Sequence, residues 1–296
     1  MVQVVSIESA LVGFYVPILL GWLYARGRGD VDTKTIAQLL IRIFLPALLF
    51  VSIYEKKATD FTIPILAATA VVTCAMVACL LLREPEFILP SMYTNAGYLP
   101  IPLAYSLWGS GGVAYVALYI LGNNTVSNVI APLIAGRSLK RSLKYIVYFP
   151  PLYAIVAALV LGNLRIDVPE PVMYVAEKLG LVAPPLALVL LGMEFASAKL
   201  ELRSALKVGA LRIIMMPLIL VVGGVIAGFG GLPLHVLVLE SIMPPAVSNV
   251  VLAADLGMDS KHVASIVLTL TAVSTLVFIP LFFAAHTFGL LSDLFG

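Results

Sequence analysis

The polypeptide has 296 residues, of which 61% are hydrophobic and 11% are charged, and its formal net charge is +2. Soluble domains are about half apolar and about one quarter charged, so this composition excludes a water-soluble globular domain. Apolar runs of about 20 residues, long enough to cross a bilayer as helices, recur along the chain. In chain order they cover residues 6–25, 36–53, 61–82, 87–107, 112–135, 145–161, 172–195, 205–229, 234–256 and 263–291. The sequence therefore predicts an all-α integral membrane protein with ten transmembrane helices.

The loops between these runs predict the orientation of the chain. With the N-terminus outside, the inward loops carry far more Lys and Arg than the outward loops, and short basic loops stay in the cytoplasm. Both termini are therefore predicted to lie outside a plasma membrane. The inward cations are Arg26, Arg28, Lys34, Arg83, Arg137, Lys140, Arg141, Lys144, Lys199, Arg203, Lys207 and Lys261, and the outward ones are Lys56, Lys57 and Arg165. The cluster at residues 137–144 is interpreted as an orientation signal, with a site for lipid headgroups as the alternative.

The two halves of the chain resemble each other. A shift of 148 residues aligns Gly109 with Gly257, and residues 130–133 with residues 278–281, without a gap. Weaker matches near the start of each half follow in the same order. A duplicated unit with five crossings, an odd number, must be inverted relative to its copy. We therefore predict two inverted five-helix repeats, which cover residues 1–136 and 142–296.

Residues that cannot continue a helix interrupt the fourth and ninth runs at matching positions of the two repeats. The first interruption covers residues 95–102 and the second covers residues 243–249. One interpretation is a pair of proline kinks whose unpaired backbone groups bond to Ser and Thr side chains. The other is a binding site, because broken helices expose N-termini that attract anions and carbonyl oxygens that attract cations.

These interrupted segments carry a resemblance to a known family. The motif NAGYLPIPL at residues 95–103 with WG at 108–109, and MPPA at 243–246 with Asn249 and ADLG at 254–257, resemble helices 4 and 9 of the auxin efflux carrier family. Residues 46–48 and 191–192 fit helices 2 and 7 of that family. The chain lacks the long central loop of plant members and the acidic residue within their third helix, and so resembles a prokaryotic member.

The resemblance implies more than the pattern of residues does. It implies broken helices 4 and 9 that cross, scaffold helices 1, 2, 6 and 7 that often form a homodimer, and transport helices 3–5 and 8–10. It also implies elevator-type transport of organic acids, with auxin as the substrate of plant members and dicarboxylates as substrates of microbial relatives. The implied substrate site consists of Asn95, Gly97, Tyr98, Pro244, Pro245, Ser248 and Asn249.

Amide and hydroxyl groups are the predicted anion donors, because no Lys or Arg is expected to lie near either interruption. The donors are Asn95, Tyr98, Ser248 and Asn249. Arg42 and Arg212 lie near the cytoplasmic ends of their runs, where long side chains reach the interface, so both are predicted to be structural.

Glu240 is the principal candidate for ion coupling, because a carboxylate about 9 Å inside a membrane helix is costly unless it is paired or protonated. It is a proton carrier, a Na⁺ ligand beside the Met243 carbonyl, or a structural residue; the spacing of the two residues resembles a sodium site of bile acid symporters. Polar residues of the fifth run share one helical face, which either completes the cavity or only joins helices. The ion-coupling candidates are Glu240, Asn95, Asn124, Ser127, Asn128 and Met243.

Motifs of an enzyme are missing from the sequence: it has no His-Glu-x-x-His and no Gly-x-Ser-x-Gly, and its three histidines are scattered. We therefore predict a secondary carrier of a small organic anion, such as a mono- or dicarboxylate or an auxin-like acid, and not an enzyme. The alternatives are a channel-like protein, a sodium-coupled symporter of the bile acid type, and a receptor that does not transport. No cofactor, no metal beyond Na⁺ and no nucleic-acid partner is expected; the expected partners are the anion, membrane lipids, a second copy of the chain, and Na⁺ or H⁺ as the coupling ion.

Overall fold

The computed structural model describes residues 7–29, 31–56, 60–137, 146–196 and 200–291. Within these ranges the regular elements are all helical, as the sequence predicts, apart from a single isolated bridge between two extended residues. Several predicted features lie outside the described residues. They are both chain ends, the first residue of the first and sixth predicted runs, and the loop cations Lys57, Lys140, Arg141, Lys144 and Lys199.

The principal helices are labelled in chain order. They are α1 (Ile7–Arg28), α2 (Thr33–Lys56), α3 (Thr62–Leu81), α4 (Pro85–Met92), α5 (Pro100–Ile134), α6 (Pro150–Asn163), α7 (Glu170–Gly180), α8 (Ala183–Ala196), α9 (Leu202–Ile226), α10 (Gly231–Ser241), α11 (Ser248–Leu256) and α12 (Ser260–Thr287). Wider π-helical turns lie within α2, α9 and α12, at Leu40–Phe44, Leu218–Val222 and Ser274–Phe278.

Six stretches of the described chain are long and apolar enough to cross a membrane. They are Thr33–Lys56, Thr62–Leu81, Pro100–Ile134, Glu170–Ala196, Leu202–Ile226 and Ser260–Thr287, and α6 and α10 are shorter apolar helices. The multi-pass architecture is thereby confirmed, while ten crossings and the inverted repeat stay predictions. The number of long helices is smaller than ten partly because the fourth and ninth runs are each divided into shorter helices.

A sharp turn inside α5 separates the fourth and fifth predicted runs. Gly109 has φ 61° and ψ −150° there, a conformation that favours glycine. A Cβ atom on Gly112 would lie 2.9 Å from the carbonyl oxygen of Ala104. In a straight helix, residues eight positions apart are separated by about 12 Å along the axis. The chain therefore folds back at Gly109.

The chain packs into two compact units. The first unit contains residues 1–60, 97–118 and 149–197, and the second contains residues 61–96, 119–148 and 198–296. Each unit therefore takes segments from both halves of the sequence. The predicted repeats at residues 1–136 and 142–296, and the predicted scaffold and transport groups of helices, stay predictions.

Glycines allow close helix packing inside each unit, as is common in membranes. In the first unit α1 and α8 touch where Gly21 meets the Val189 carbonyl and Gly192 meets the Ile18 carbonyl. In the second unit α5 meets α3 where Gly122 contacts the backbone of Pro64.

Acidic side chains cap the helices that begin beside predicted cytoplasmic cations. Asp32 accepts a hydrogen bond from the Thr35 N–H at 3.1 Å at the start of α2, and Glu201 accepts one from the Ser204 N–H at 2.9 Å at the start of α9. The bonds from Thr35 and Ser204 lower the pKa of these two carboxyl groups. An ionised carboxylate at a helix N-terminus also interacts favourably with the helix dipole.

Candidate functional site

The helix interruptions predicted from the prolines are present. The chain leaves helical geometry after Met92 and resumes it at Pro100, and it leaves helical geometry again between Ser241 and Ser248. Pro100 occupies the first position of α5, where the N–H that proline lacks would have had no helical partner. The second interruption contains Pro244–Pro245, which supply no N–H to continue the ladder of α10.

The two interruptions pair with each other within the second unit. The Asn95 N–H donates a hydrogen bond to the Pro244 carbonyl at 2.8 Å, and the Ala246 N–H donates one to the Tyr93 carbonyl at 2.9 Å. An antiparallel bridge lies between these two bonds. Residues 93–95 at the first break therefore face residues 244–246 of the second, while the place of residues 97–102 and the depth of both breaks in the bilayer stay predictions.

Asn249 joins the two interruptions through one amide group. Its side chain is fully buried in the first turn of α11. The Nδ2 group donates to the Tyr93 carbonyl at 3.0 Å and to the Ala246 carbonyl at 2.9 Å. Within the described chain, its Oδ1 atom has no hydrogen-bond donor. Asn249 therefore holds the pairing and leaves one buried acceptor at the site.

Some residues that were not predicted to be site residues also contact the first interruption. The Asn123 Nδ2 group donates to the Thr94 carbonyl at 3.2 Å and to the Asn124 Oδ1 atom at 2.8 Å. The buried Tyr93 hydroxyl interacts with the side chains of Ser248 and Asn128. The signal available for Asn123 was its position beside Asn124 in the polar fifth run, where it lies on a different face from the selected residues.

The residues of the predicted polar face of α5 have different hydrogen-bond partners. Asn124 bonds to Asn123, and Asn128 interacts with Tyr93. Ser127 is fully buried, and its hydroxyl has no hydrogen-bond partner within the described ranges. This face therefore turns toward the protein in the second unit.

Arg212 lies at the paired interruptions, and the prediction that it extends to the membrane interface is wrong. Its side chain is 5% exposed. Nη1 donates to the carbonyls of Ser91 at 3.0 Å and Pro90 at 3.3 Å. Nη2 donates to the Met243 carbonyl at 2.8 Å and to the Thr94 hydroxyl at 3.1 Å. The premise that no Arg or Lys is near either break is therefore also wrong.

The physical reason for this position is the chemistry of helix C-termini. The last carbonyls of a helix have no N–H partner within the helix. Pro90 and Ser91 belong to the last turn of α4, and Met243 follows the end of α10. A guanidinium group carries five N–H donors, so one side chain from α9 can satisfy both ends. Arg42, in contrast, is exposed in the first unit.

Glu240 is fully buried one residue before the end of α10. Neither of its carboxyl oxygens has a hydrogen-bond partner among the residues that the structure describes. The buried ring of Tyr119 lies within electrostatic range of both Glu240 and Arg212. The second unit thus contains a buried acidic residue and a buried basic residue close to the helix interruptions, without a direct bond between them.

The other predicted site residues are divided between the two units. Asn95, Pro244, Pro245, Ser248 and Asn249 belong to the second unit, whereas Gly97 and Tyr98 belong to the first. Gly97 and Tyr98 are both half-buried.

Each unit has a cavity of its own. In the second unit a cavity of about 50 Å³ is lined by Arg212, Ser241, Met243, Pro244 and Ser274, among others. This is room for a few water molecules and less than the volume of a typical small-molecule pocket. In the first unit a cavity of about 290 Å³ is lined by residues that include Ser52, Glu55, Tyr105, Ser110 and Glu177. Both charged residues of that lining are acidic, so its chemistry suits an anion less well. No group of three or more potential metal-binding side chains occurs in the described ranges.

The amino-acid sequence of the chain is similar to those of known membrane transport proteins. The model of a family described as "Membrane transport protein" matches residues 136–283, which is half of the chain. An uncharacterized transporter of Methanothermobacter thermautotrophicus is 27% identical over 273 residues, covering 86% of this chain and 89% of the relative. An uncharacterized transporter of Methanocaldococcus jannaschii is 25% identical over 268 residues, covering 82% of this chain and 87% of the relative.

Proposed function

The chain belongs to the membrane transport protein family, the auxin efflux carrier family that its sequence resembles, and on that premise we propose that it is a secondary active carrier of a small organic anion. The family and the transporter relatives make it a multi-pass membrane transporter rather than an enzyme. Mono- and dicarboxylates and auxin-like acids are the proposed substrate class.

The pairing of the two interruptions in the second unit is the observation that carries this proposal. It gathers groups that favour a carboxylate: the N-terminus of α11 at Ser248, the Asn95 side chain, and the positive charge of the buried Arg212. Helix N-termini and charged donors both stabilise anions, and they do so more strongly where water is scarce. The proposed binding residues remain Asn95, Gly97, Tyr98, Pro244, Pro245, Ser248 and Asn249.

Elevator-type alternating access is the proposed transport cycle. Predicted runs 3–5 and 8–10 form the proposed moving part, and predicted runs 1, 2, 6 and 7 form a scaffold that dimerises in a plasma membrane with both termini outside. The two compact units support this grouping except for residues 97–118, which lie in the fourth and fifth runs but belong to the first unit. Glu240 is the proposed coupling group, for a proton or for Na⁺. The further candidates for ion coupling are Asn95, Asn124, Ser127, Asn128 and Met243.

Uptake into proteoliposomes tests the function. Purified protein is presented with labelled mono- and dicarboxylates under separate proton and Na⁺ gradients, with protein-free liposomes as the control. We expect saturable, gradient-driven accumulation of at least one organic anion. Binding without uptake would favour the receptor, and uptake that never saturates would favour the channel.

A further inference from the structure

We infer that Arg212 is a built-in cation that occupies the place of a dissolved coupling ion at the paired helix interruptions. The inference rests on the proposed function for its consequence in transport, but the occupancy itself belongs to the fold. It implies that the second unit needs no Na⁺ to hold its two interruptions together.

The ligand set of Arg212 has the chemistry of a cation site. All four hydrogen bonds go to neutral oxygen atoms: three backbone carbonyls and the Thr94 hydroxyl, at 2.8 to 3.3 Å. These oxygens lie at both interruptions: Pro90 and Ser91 end α4, Thr94 belongs to the first interruption, and Met243 belongs to the second. Hard cations bind protein sites through oxygen ligands of this kind. The guanidinium group therefore fills a cage that the broken helices provide.

The charge of Arg212 makes a second cation at this place unfavourable. The side chain is 5% exposed, so water does little to screen it. A Na⁺ bound to the Met243 carbonyl would share that oxygen with the guanidinium, which donates to it at 2.8 Å. Like charges this close repel strongly in a buried site. The Met243 carbonyl, a candidate Na⁺ ligand from the sequence, is thus already bound to an internal cation.

The adjoining cavity makes the inference testable. Arg212 lines the cavity of about 50 Å³ in the second unit together with Gly209, Ser241, Met243 and Ser274. Removal of the side chain would enlarge this cavity and leave the carbonyl cage empty. A small cation can then replace the lost guanidinium.

Thermal unfolding of purified protein in detergent is the test, because it needs no substrate. We expect the wild-type Tm to be the same in NaCl and in choline chloride. Arg212→Ala leaves buried carbonyls without donors, so its Tm in choline falls by at least about 5 °C. Millimolar guanidinium or Na⁺ should restore part of this loss. Arg203→Ala is the matched control: Arg203 is exposed on the same helix, and its removal should change neither Tm nor the response to either cation.

Two results would overturn the inference. One is a Tm that rises in NaCl relative to choline both in wild type and in Glu240→Gln, which would show that a dissolved cation has a site at the interruptions that does not depend on Glu240. The other is an Arg212→Ala protein as stable as wild type in choline.

If the Arg212→Ala protein does not fold, Arg212→Lys replaces it in the test. The lysine ammonium keeps the charge but has only three N–H donors, so we expect this variant to fold with a Tm below that of wild type. A Tm equal to that of wild type would contradict the cage. If the Tm values are as expected but the wild-type protein transports no organic anion, the proposed function alone is contradicted.

Discussion

Asn249 is the residue whose contribution to the paired interruptions can be isolated most cleanly. Asn249→Ala removes the donors to the Tyr93 and Ala246 carbonyls. A buried polar group that loses its partner costs about 1–3 kcal/mol. We therefore expect a lower Tm and a weaker apparent affinity for the transported anion. Asn163→Ala is the control, because the Asn163 side chain donates a single hydrogen bond, to the Leu159 carbonyl inside α6. Equal effects of the two changes would contradict the role of Asn249 in joining the interruptions.

Glu240→Gln tests the proposed coupling group, since glutamine resembles a protonated carboxyl group and cannot release a proton. If Glu240 carries a proton, gradient-driven uptake is lost while exchange of anions persists. Because Arg212 fills the carbonyl cage, we expect the dependence on Na⁺ to stay as in wild type. The measurement is transport across a range of pH and Na⁺ concentrations. Unchanged activity and ion dependence would leave Glu240 as a structural residue.

The contrast between Asn249 and Arg212 shows what the sequence predicts at this scale. Asn249 lies inside the proline-rich motif, so its place at the break followed from local sequence. Arg212 contacts Pro90 and Met243, which are distant in the chain and on different helices. Only the packing of α9 against α4 and α10 brings these groups together. A rule based on hydropathy placed its charge in the interface, because that rule does not include unsatisfied carbonyls inside the protein.

Helix interruptions and turns were the elements that the sequence predicted best. Prolines fixed both breaks, because a missing N–H and a clash with the preceding turn act locally. The turn at Gly109 was expected from a loop between two apolar runs, and its left-handed φ explains the glycine. The division of the seventh run into α7 and α8 was not expected, since its apolar pattern continues through Leu181 and Val182.

Close packing of α5 on α3 should depend on Gly122. A Cβ atom at this position would overlap the backbone of Pro64, which cannot move as a flexible side chain does. We expect Gly122→Ala to lower the Tm and the yield of monodisperse protein on size-exclusion chromatography. Gly162→Ala in α6 is the control, because nothing lies within 4 Å of the added atom. A Gly122→Ala protein that behaves as this control does would contradict the packing.

At the scale of the whole molecule, composition established the membrane class and local motifs established the family. The grouping of helices into compact units could not be read from the order of the chain, because each unit combines segments of both halves. The resemblance to the auxin efflux carrier family supplied the expected groups of scaffold and transport helices. The apolar runs alone predict membrane-spanning segments, whereas the partners of each segment depend on packing between distant parts of the chain.

Counterflow in proteoliposomes tests the central claim, a carrier for small organic anions, most directly. Vesicles are loaded with an unlabelled organic acid, and entry of the same labelled acid is compared with entry into vesicles without internal acid. The binding site of a carrier returns to the outer side faster with bound substrate than without it. We therefore predict that internal acid accelerates entry of the labelled acid and that the rate of entry saturates with the concentration of external acid. Entry that is linear in concentration and indifferent to internal acid would contradict the account.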